Sequence, residues 1–253
     1  MDKHSSILQS FSLQDKLNPE VWNLANESSE IMKPEIRERL LEIAYEFIEF
    51  LEIPVFVDDI ILTGSLSNYN WSKFSDFDLH LIIDFNQFPK DAIELYQKLF
   101  NLKKMLFNNN HDITIKQYEV ELYAQDETEP HESTGVYSVL YDEWIKKPKK
   151  ENVTINKKEI ENKTKEWMNA IDEVIENSDG EELEDAKELI KKYKDKIKKF
   201  RQSGLEKGGE FSNENLVFKF LRRNGYIEKL YDFENKLMDK KLSLQEKNLN
   251  SVK

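Results

Sequence analysis

Gly64-Ser65, then ten residues, then Asp76-Phe77-Asp78 is the spacing in this chain with the clearest chemical content. Side chains two apart on a strand project to the same side. In Asp76-Phe77-Asp78-Leu79 the two carboxylates therefore share one face, while Phe77 and Leu79 turn towards a core. Adjacent carboxylates repel each other unless positive charge lies between them, and hard divalent cations take oxygen ligands. The upstream glycine lets backbone come close to a phosphate, and Ser65 adds a hydroxyl beside it. These residue types at this spacing read as a phosphate-and-metal site.

The elements that must position them are also readable. Val55 to Thr63 reads as a strand ending at the Gly64-Ser65 turn, and Asp76 to Phe85 as its neighbour. Before them, Pro34 opens a helix whose apolar face comprises Ile36, Leu40, Leu41, Ile43, Ala44, Phe47, Ile48 and Leu51. After them, Pro89 and Asp91 introduce a second helix through Ile93, Leu95, Leu99, Leu102 and Leu106. Strand character returns from Ile113 to Gln125, and a short pair follows at 135–140 and 143–145. Residues 1–33 read as loops with a short helix or two. The order predicts an α+β fold, a small mixed sheet with flanking helices.

Gly-Ser, ten residues and Asp-x-Asp resembles the signature of the nucleotidyltransferase superfamily, the DNA polymerase β-like fold. That family adds a third carboxylate on a later strand between apolar residues. Tyr118-Glu119-Val120-Glu121-Leu122-Tyr123 offers Glu121 for that place, with Glu119 as its rival on the same strand face. Residues 61–73, with Leu62-Thr63-Gly64-Ser65 and Asn68-Tyr69-Asn70-Trp71-Ser72-Lys73, also look like predicted nucleotidyltransferases of tailed bacteriophages. The resemblance spans residues 55–125. It implies a Mg²⁺-dependent enzyme that transfers a nucleoside monophosphate from an NTP such as ATP to a hydroxyl acceptor, releasing pyrophosphate. Asp76, Asp78 and Glu121 would be catalytic and would hold two Mg²⁺ ions, with Mn²⁺ as a substitute. Gly64 and Ser65 would contact the nucleotide's phosphates. Ser67 and Asn68 read either as further nucleotide contacts or as caps, and Lys73 and Lys116 as phosphate or base contacts. An RNA end, a protein or a small molecule would serve as acceptor. A cyclic-oligonucleotide synthase and a non-catalytic nucleotide-binding or virion structural protein are the competing expectations.

Composition bounds these readings. The 253 residues are 39% hydrophobic and 34% charged, with a formal net charge of −12. With no cysteine, disulfides, thiolate catalysis and cysteine zinc sites are excluded. No apolar run reaches the roughly 20 residues that span a bilayer. The opening Met-Asp-Lys-His-Ser-Ser lacks a signal-peptide core, so the cytoplasm is expected, a host's if the chain is viral. Charge is uneven: residues 1–145 carry 11 Lys and Arg against 27 Asp and Glu, and residues 146–253 carry 26 against 22. The charged, proline-broken segment Lys146-Lys147-Pro148-Lys149-Lys150 reads as a boundary between a catalytic core, 1–147, and a C-terminal helical domain, 148–253.

That second half shows helical spacing over 156–177 and 181–203, with a turn at Asn177-Ser178-Asp179-Gly180. Gly204 to Gly209 reads as a loop. Ser212 or Asn213 then caps a third helix continuing past Gly225 to Leu237. The lysines of 191–201 read as a solvated face, Trp167, Tyr193 and Phe220 as packing, and Arg222-Arg223 as the better phosphate grip. His80, on the strand face of Asp76 and Asp78, reads as a buttress beneath the site, since imidazole suits magnesium poorly. Asp84 lies too far along that strand.

Overall fold

The structure, a computed structural model, describes residues 2–24, 30–131, 133–150, 152–178 and 183–243. Contacts divide the chain into two units, Ser12–Asn152 and Met1–Phe11 with Val153–Lys253. The division thus falls five residues beyond the expected 147/148, and the first eleven residues go with the helical unit instead of the sheet.

In the helical unit, α1 (Lys3–Gln9) is capped by Asp2, whose carboxylate accepts from Ser5 N at 2.8 Å. It joins this unit through apolar contact: Ile7 and Phe11 are buried, and Phe11 and His4 lie 6.3 and 5.7 Å from the Phe220 ring.

In the other unit, a two-residue ribbon of β1 (Trp22–Asn23) and β2 (Ile31–Met32) precedes α2 (Pro34–Leu51). Pro34 occupies the first turn, where its missing N–H costs nothing. Ile36, Leu40, Ile43, Ala44, Phe47 and Leu51 form the buried stripe, and Glu52 in the left-handed region (φ 54°) ends the helix. β3 (Asp59–Thr63), β4 (Asp76–Ile83), α3 (Ile93–Asn110), β5 (Thr114–Ile115), β6 (Tyr118–Asp126), β7 (Val136–Ser138) and β8 (Glu143–Lys146) follow. The sheet order is β5-β6-β4-β3-β7-β8. Only β4 and β6 run parallel, with α3 in the crossover between them. This is the expected mixed sheet in an α+β fold.

One sheet face carries the core. Phe77, Leu79, Leu81 and Ile83 of β4 and Leu122 of β6 are completely buried there, with Phe47 of α2 and Phe100 and Phe107 of α3 in the same cluster. The helix α3 forms where expected, but most of the leucines that mark it in the sequence are not its buried residues. Leu95, Leu102 and Leu106 stay exposed while Phe100 and Phe107 are buried, because the two rings stack into an aromatic core with Phe85, Phe88 and Phe47. The same helix closes the sheet edge. Asn108 Nδ2 donates to Leu122 O (3.1 Å) and its Oδ1 accepts from Leu122 N (3.2 Å), so one carboxamide replaces a neighbouring strand.

Residues 12–24 are core and not loop alone: Leu17, Asn18, Val21 and Trp22 are buried, and Trp22 stacks on Trp144 at 4.5 Å. Trp22 Nε1 donates to Leu66 O (2.7 Å), Gln14 N to Tyr69 O (2.7 Å) and Trp71 Nε1 to Lys16 O (2.8 Å). These bonds fasten the connection between β3 and β4, which the site requires to be rigid.

The rest of the helical unit comprises α4 (Lys157–Ser178), α5 (Leu183–Gly208), α6 (Asn213–Arg223) and α7 (Tyr226–Leu242). The turn expected at 177–180 lies partly outside the described residues; Asn177 and Ser178 close α4. Helix α5 runs through the loop expected from Gly204. A Cβ on Gly204 would stand 2.5 Å from Glu214 Cβ, so glycine here permits close packing and not a turn. Ser212 caps α6 as expected. The third helix breaks at Gly225 (φ 80°), which separates α6 from α7. Among the described residues no helix is long and apolar enough to cross a membrane.

The Asn108 bridge generates a test. Asn108→Ala leaves both Leu122 backbone groups unpaired at a half-covered edge and should lower the unfolding free energy by about 1–3 kcal/mol, read from urea denaturation.

Candidate metal centre

Sheet register assembles the centre. β4 pairs with β6 so that Asp76 faces Glu119 and Asp78 faces Glu121, and β3 pairs so that Thr63 faces Asp78. All lie on the face opposite the core. Asp76, Asp78 and Glu121, each half-buried, bring one carboxylate oxygen apiece to within 4.8 Å of one another. Glu119 is exposed and lies outside this group. Three oxygen donors at this separation could hold a hard divalent cation.

Gly64 abuts the centre with φ 76°, and a Cβ there would lie 1.9 Å from Asp78 Oδ2. Glycine is therefore required twice, for the left-handed backbone and for the space the aspartate occupies. Ser65 Oγ donates to Ser75 Oγ (2.7 Å), whose oxygen also accepts from Ser72 N (2.9 Å), so the two ends of the connection are tied. Ser67 and Asn68 face inward. The completely buried Ser67 hydroxyl lies 2.9 Å from Gly64 O and 2.8 Å from Gly135 O, and Asn68 bonds Thr134 and Tyr69 N. Both hold the loop. Lys73 is exposed, with Nζ 5.0 Å from the centroid of Phe74, and Lys116 sits in the exposed hairpin turn between β5 and β6 with φ 51°.

Residues that spacing did not single out surround Glu121. Tyr123, next on its strand face, donates its hydroxyl to Glu121 Oε2 and leaves the other oxygen for a cation. Burial first, then this bond and the charges of Asp78, Glu121 and Asp76, push the Tyr123 phenol well above its ordinary range, so it stays a donor. His80 stacks on Tyr123 at 4.6 Å. Its Nδ1 lies 2.8 Å from Gln125 Oε1 and its Nε2 3.3 Å from Thr63 Oγ1, which assigns the proton to Nδ1. Burial pushes the imidazole down to about 4 against the opposing effect of the Gln125 bond. The buttress reading of His80 fits this placement. Lys104 of α3 lies over the Tyr123 ring at 4.1 Å; burial lowers its pKa and the Glu121 carboxylate opposes that shift. Nothing local in the sequence marks Lys104, because its neighbour is 17 residues away on another element.

In the helical unit, Arg223 Nη1 donates to Ser10 Oγ (2.7 Å) and the guanidinium lies over Phe11 at 5.3 Å, so this arginine holds the N-terminal segment. Lys194 of α5 pairs with Glu234 (2.6 Å), and Trp167 packs on Phe200 at 5.4 Å.

Comparison with models of known protein families, with curated proteins and with solved structures finds no match.

Two outcomes are expected. Gly64→Ala should cost about 1–3 kcal/mol by urea unfolding, from backbone strain plus displacement of Asp78. One imidazole should titrate in NMR spectra with a midpoint near 4 and vanish in His80→Gln. The sign follows from a folded value below the ordinary 6.5 of a histidine. Neutral His80 supports the fold fully above about 6.5, and that support is lost as pH falls through about 4.

Proposed function

We propose that the sheet-bearing unit is a metal-dependent nucleotidyltransferase that moves a nucleoside monophosphate from an NTP to a hydroxyl acceptor. The observation that carries this reading is the convergence of Asp76, Asp78 and Glu121 beside the left-handed Gly64. Bound Mg²⁺ would supply charge neutralisation on the triphosphate and acidify the acceptor hydroxyl. Asp76 and Asp78 would hold the metal, and Glu121 would complete the set. The Gly64-Ser65 backbone N–H groups would hold the β- and γ-phosphates, and the Ser65 hydroxyl would join them by turning its proton away from Ser75. Tyr123 keeps Glu121 in place, and the ties from Ser67, Trp22 and Ser75 keep the phosphate loop rigid. The acceptor oxygen bonds to the α-phosphorus, the bond from that phosphorus to the pyrophosphate oxygen breaks, and the hydroxyl proton passes to water. Chemistry of this kind is chiefly positioning and electrostatics, so each carboxylate matters.

The test is incubation with each α-labelled NTP and Mg²⁺ or Mn²⁺, alone and with RNA or cell extract. Asp78→Asn and Glu121→Gln should each lower label transfer by at least about 10²-fold, while Glu119→Gln retains it. Absence of any Asp78-dependent label under all these conditions overturns the reading. A phosphatase-resistant product formed without acceptor would make the acceptor a second nucleotide and the enzyme a cyclic-oligonucleotide synthase.

A further inference from the structure

On the sheet face that carries the three carboxylates, the next cross-strand pair is His80 with Tyr123, and then Ile82 with Gln125. Each two-residue step along a strand is about 7 Å. His80, Tyr123 and Gln125 form one side of a pocket of about 350 Å³, which Phe85 and, from α3, Gln97 and Asn101 complete. Its volume falls at the lower end of the range for small-molecule sites.

The chemistry of the lining is selective. Glu129 stands at its rim and Lys104 lies over the Tyr123 ring at 4.1 Å, so one charge of each sign borders a lining of otherwise neutral side chains. Gln125 is committed: its Oε1 takes the His80 proton and its Nε2 reaches Glu129 O at 3.3 Å and His131 Nδ1 at 3.4 Å. That fixes His80 parallel to Tyr123 at an interplanar angle of 16°. Gln97 and Asn101 are different. They stand one helical turn apart on the same face of α3, Gln97 half-buried and Asn101 exposed, so both carboxamides are open to solvent and to a ligand. A carboxamide presents donor and acceptor together, the pattern that pairs bidentately with a nucleobase edge. Phe85 adds an apolar wall.

Position assigns the role. The sheet order places Gly64, at the end of β3, on one side of the β4 aspartates and Glu121, on β6, on the other. The pocket opens beyond Glu121, away from the glycine turn that would hold the triphosphate. We propose that this pocket binds an uncharged nucleobase, that of the acceptor, so that the acceptor is a nucleoside or the end of a nucleic acid. Its ribose hydroxyl then lies one strand step away, at the carboxylates. The assignment to the acceptor rests on the nucleotidyltransferase reading; the binding of a base does not.

Ribonucleosides without phosphate are the probes. Adenosine, guanosine, cytidine, uridine and ribose are titrated into the full chain without metal and followed by NMR or calorimetry. At least one nucleoside should bind and ribose should not. The double variant Gln97→Ala/Asn101→Ala should weaken binding about tenfold through loss of two hydrogen bonds. Asn101→Lys, which fills the pocket while keeping a good helix former, should do the same. Failure of every nucleoside to bind, or binding equal in parent and both pocket variants, overturns the proposal. The same preparations are assayed for label transfer from an NTP. Asp78-dependent transfer without nucleoside binding sinks the pocket and leaves the enzyme reading standing. Pocket-dependent nucleoside binding without transfer keeps the base site and removes its role as acceptor site.

Discussion

The parallel pairing of β4 with β6 sets like charge beside like charge. Asp78 and Glu121 are direct cross-strand neighbours, and Asp76 joins them from the same face. Such pairs weaken a sheet, and a slip of one residue would relieve the repulsion by turning the carboxylates into the core. The slip is prevented from the other face. Phe77, Leu79, Leu81 and Leu122 are completely buried there, and moving them to the carboxylate face would expose all four. Core packing thus holds an arrangement that electrostatics opposes, and cation binding would remove the opposition.

The supporting shell follows from that constraint. Carboxylates that repel need fixed positions, and the fixings are particular: Tyr123 on Glu121, Gly64 yielding space to Asp78, and Ser67, Trp22 and Ser75 on the connecting loop. Helix α3 serves both faces of the design. Phe100 and Phe107 fill the core, Asn108 closes the β6 edge, and Lys104, Asn101 and Gln97 line the approach to the open face.

What could be read from sequence was what lies close along the chain. The alternation around Asp76-Phe77-Asp78 and around Glu121, and the glycine before them, declare a strand, its buried face and a tight turn within a few residues. The inner face of α3 is not legible in the sequence because leucines and phenylalanines both recur at helical spacing, and only the aromatic cluster with Phe85 and Phe47 decides between them. Ser67 was unreadable as a brace because its partner, Gly135, is 68 residues away. Gly204 and Gly225 show the same limit in glycine: one accommodates a neighbouring helix and the other ends one. The burial of Trp22 and Leu17 needed the sheet to be present, since short apolar patches gain structure only from what covers them.

The crossover through α3 also governs when the centre can exist. Asp76 and Glu121 are separated by the whole of α3 and the turn from β5, and Gly135, which braces the glycine turn, comes later still. A chain emerging from the ribosome therefore carries its first two carboxylates before it has the strand that bears the third. Closing the loop between them is entropically costly and is recovered only when β6 docks. A cation in the cell would meet the assembled ligand set only after the sheet has closed, so incomplete chains would carry these carboxylates without the means to hold metal.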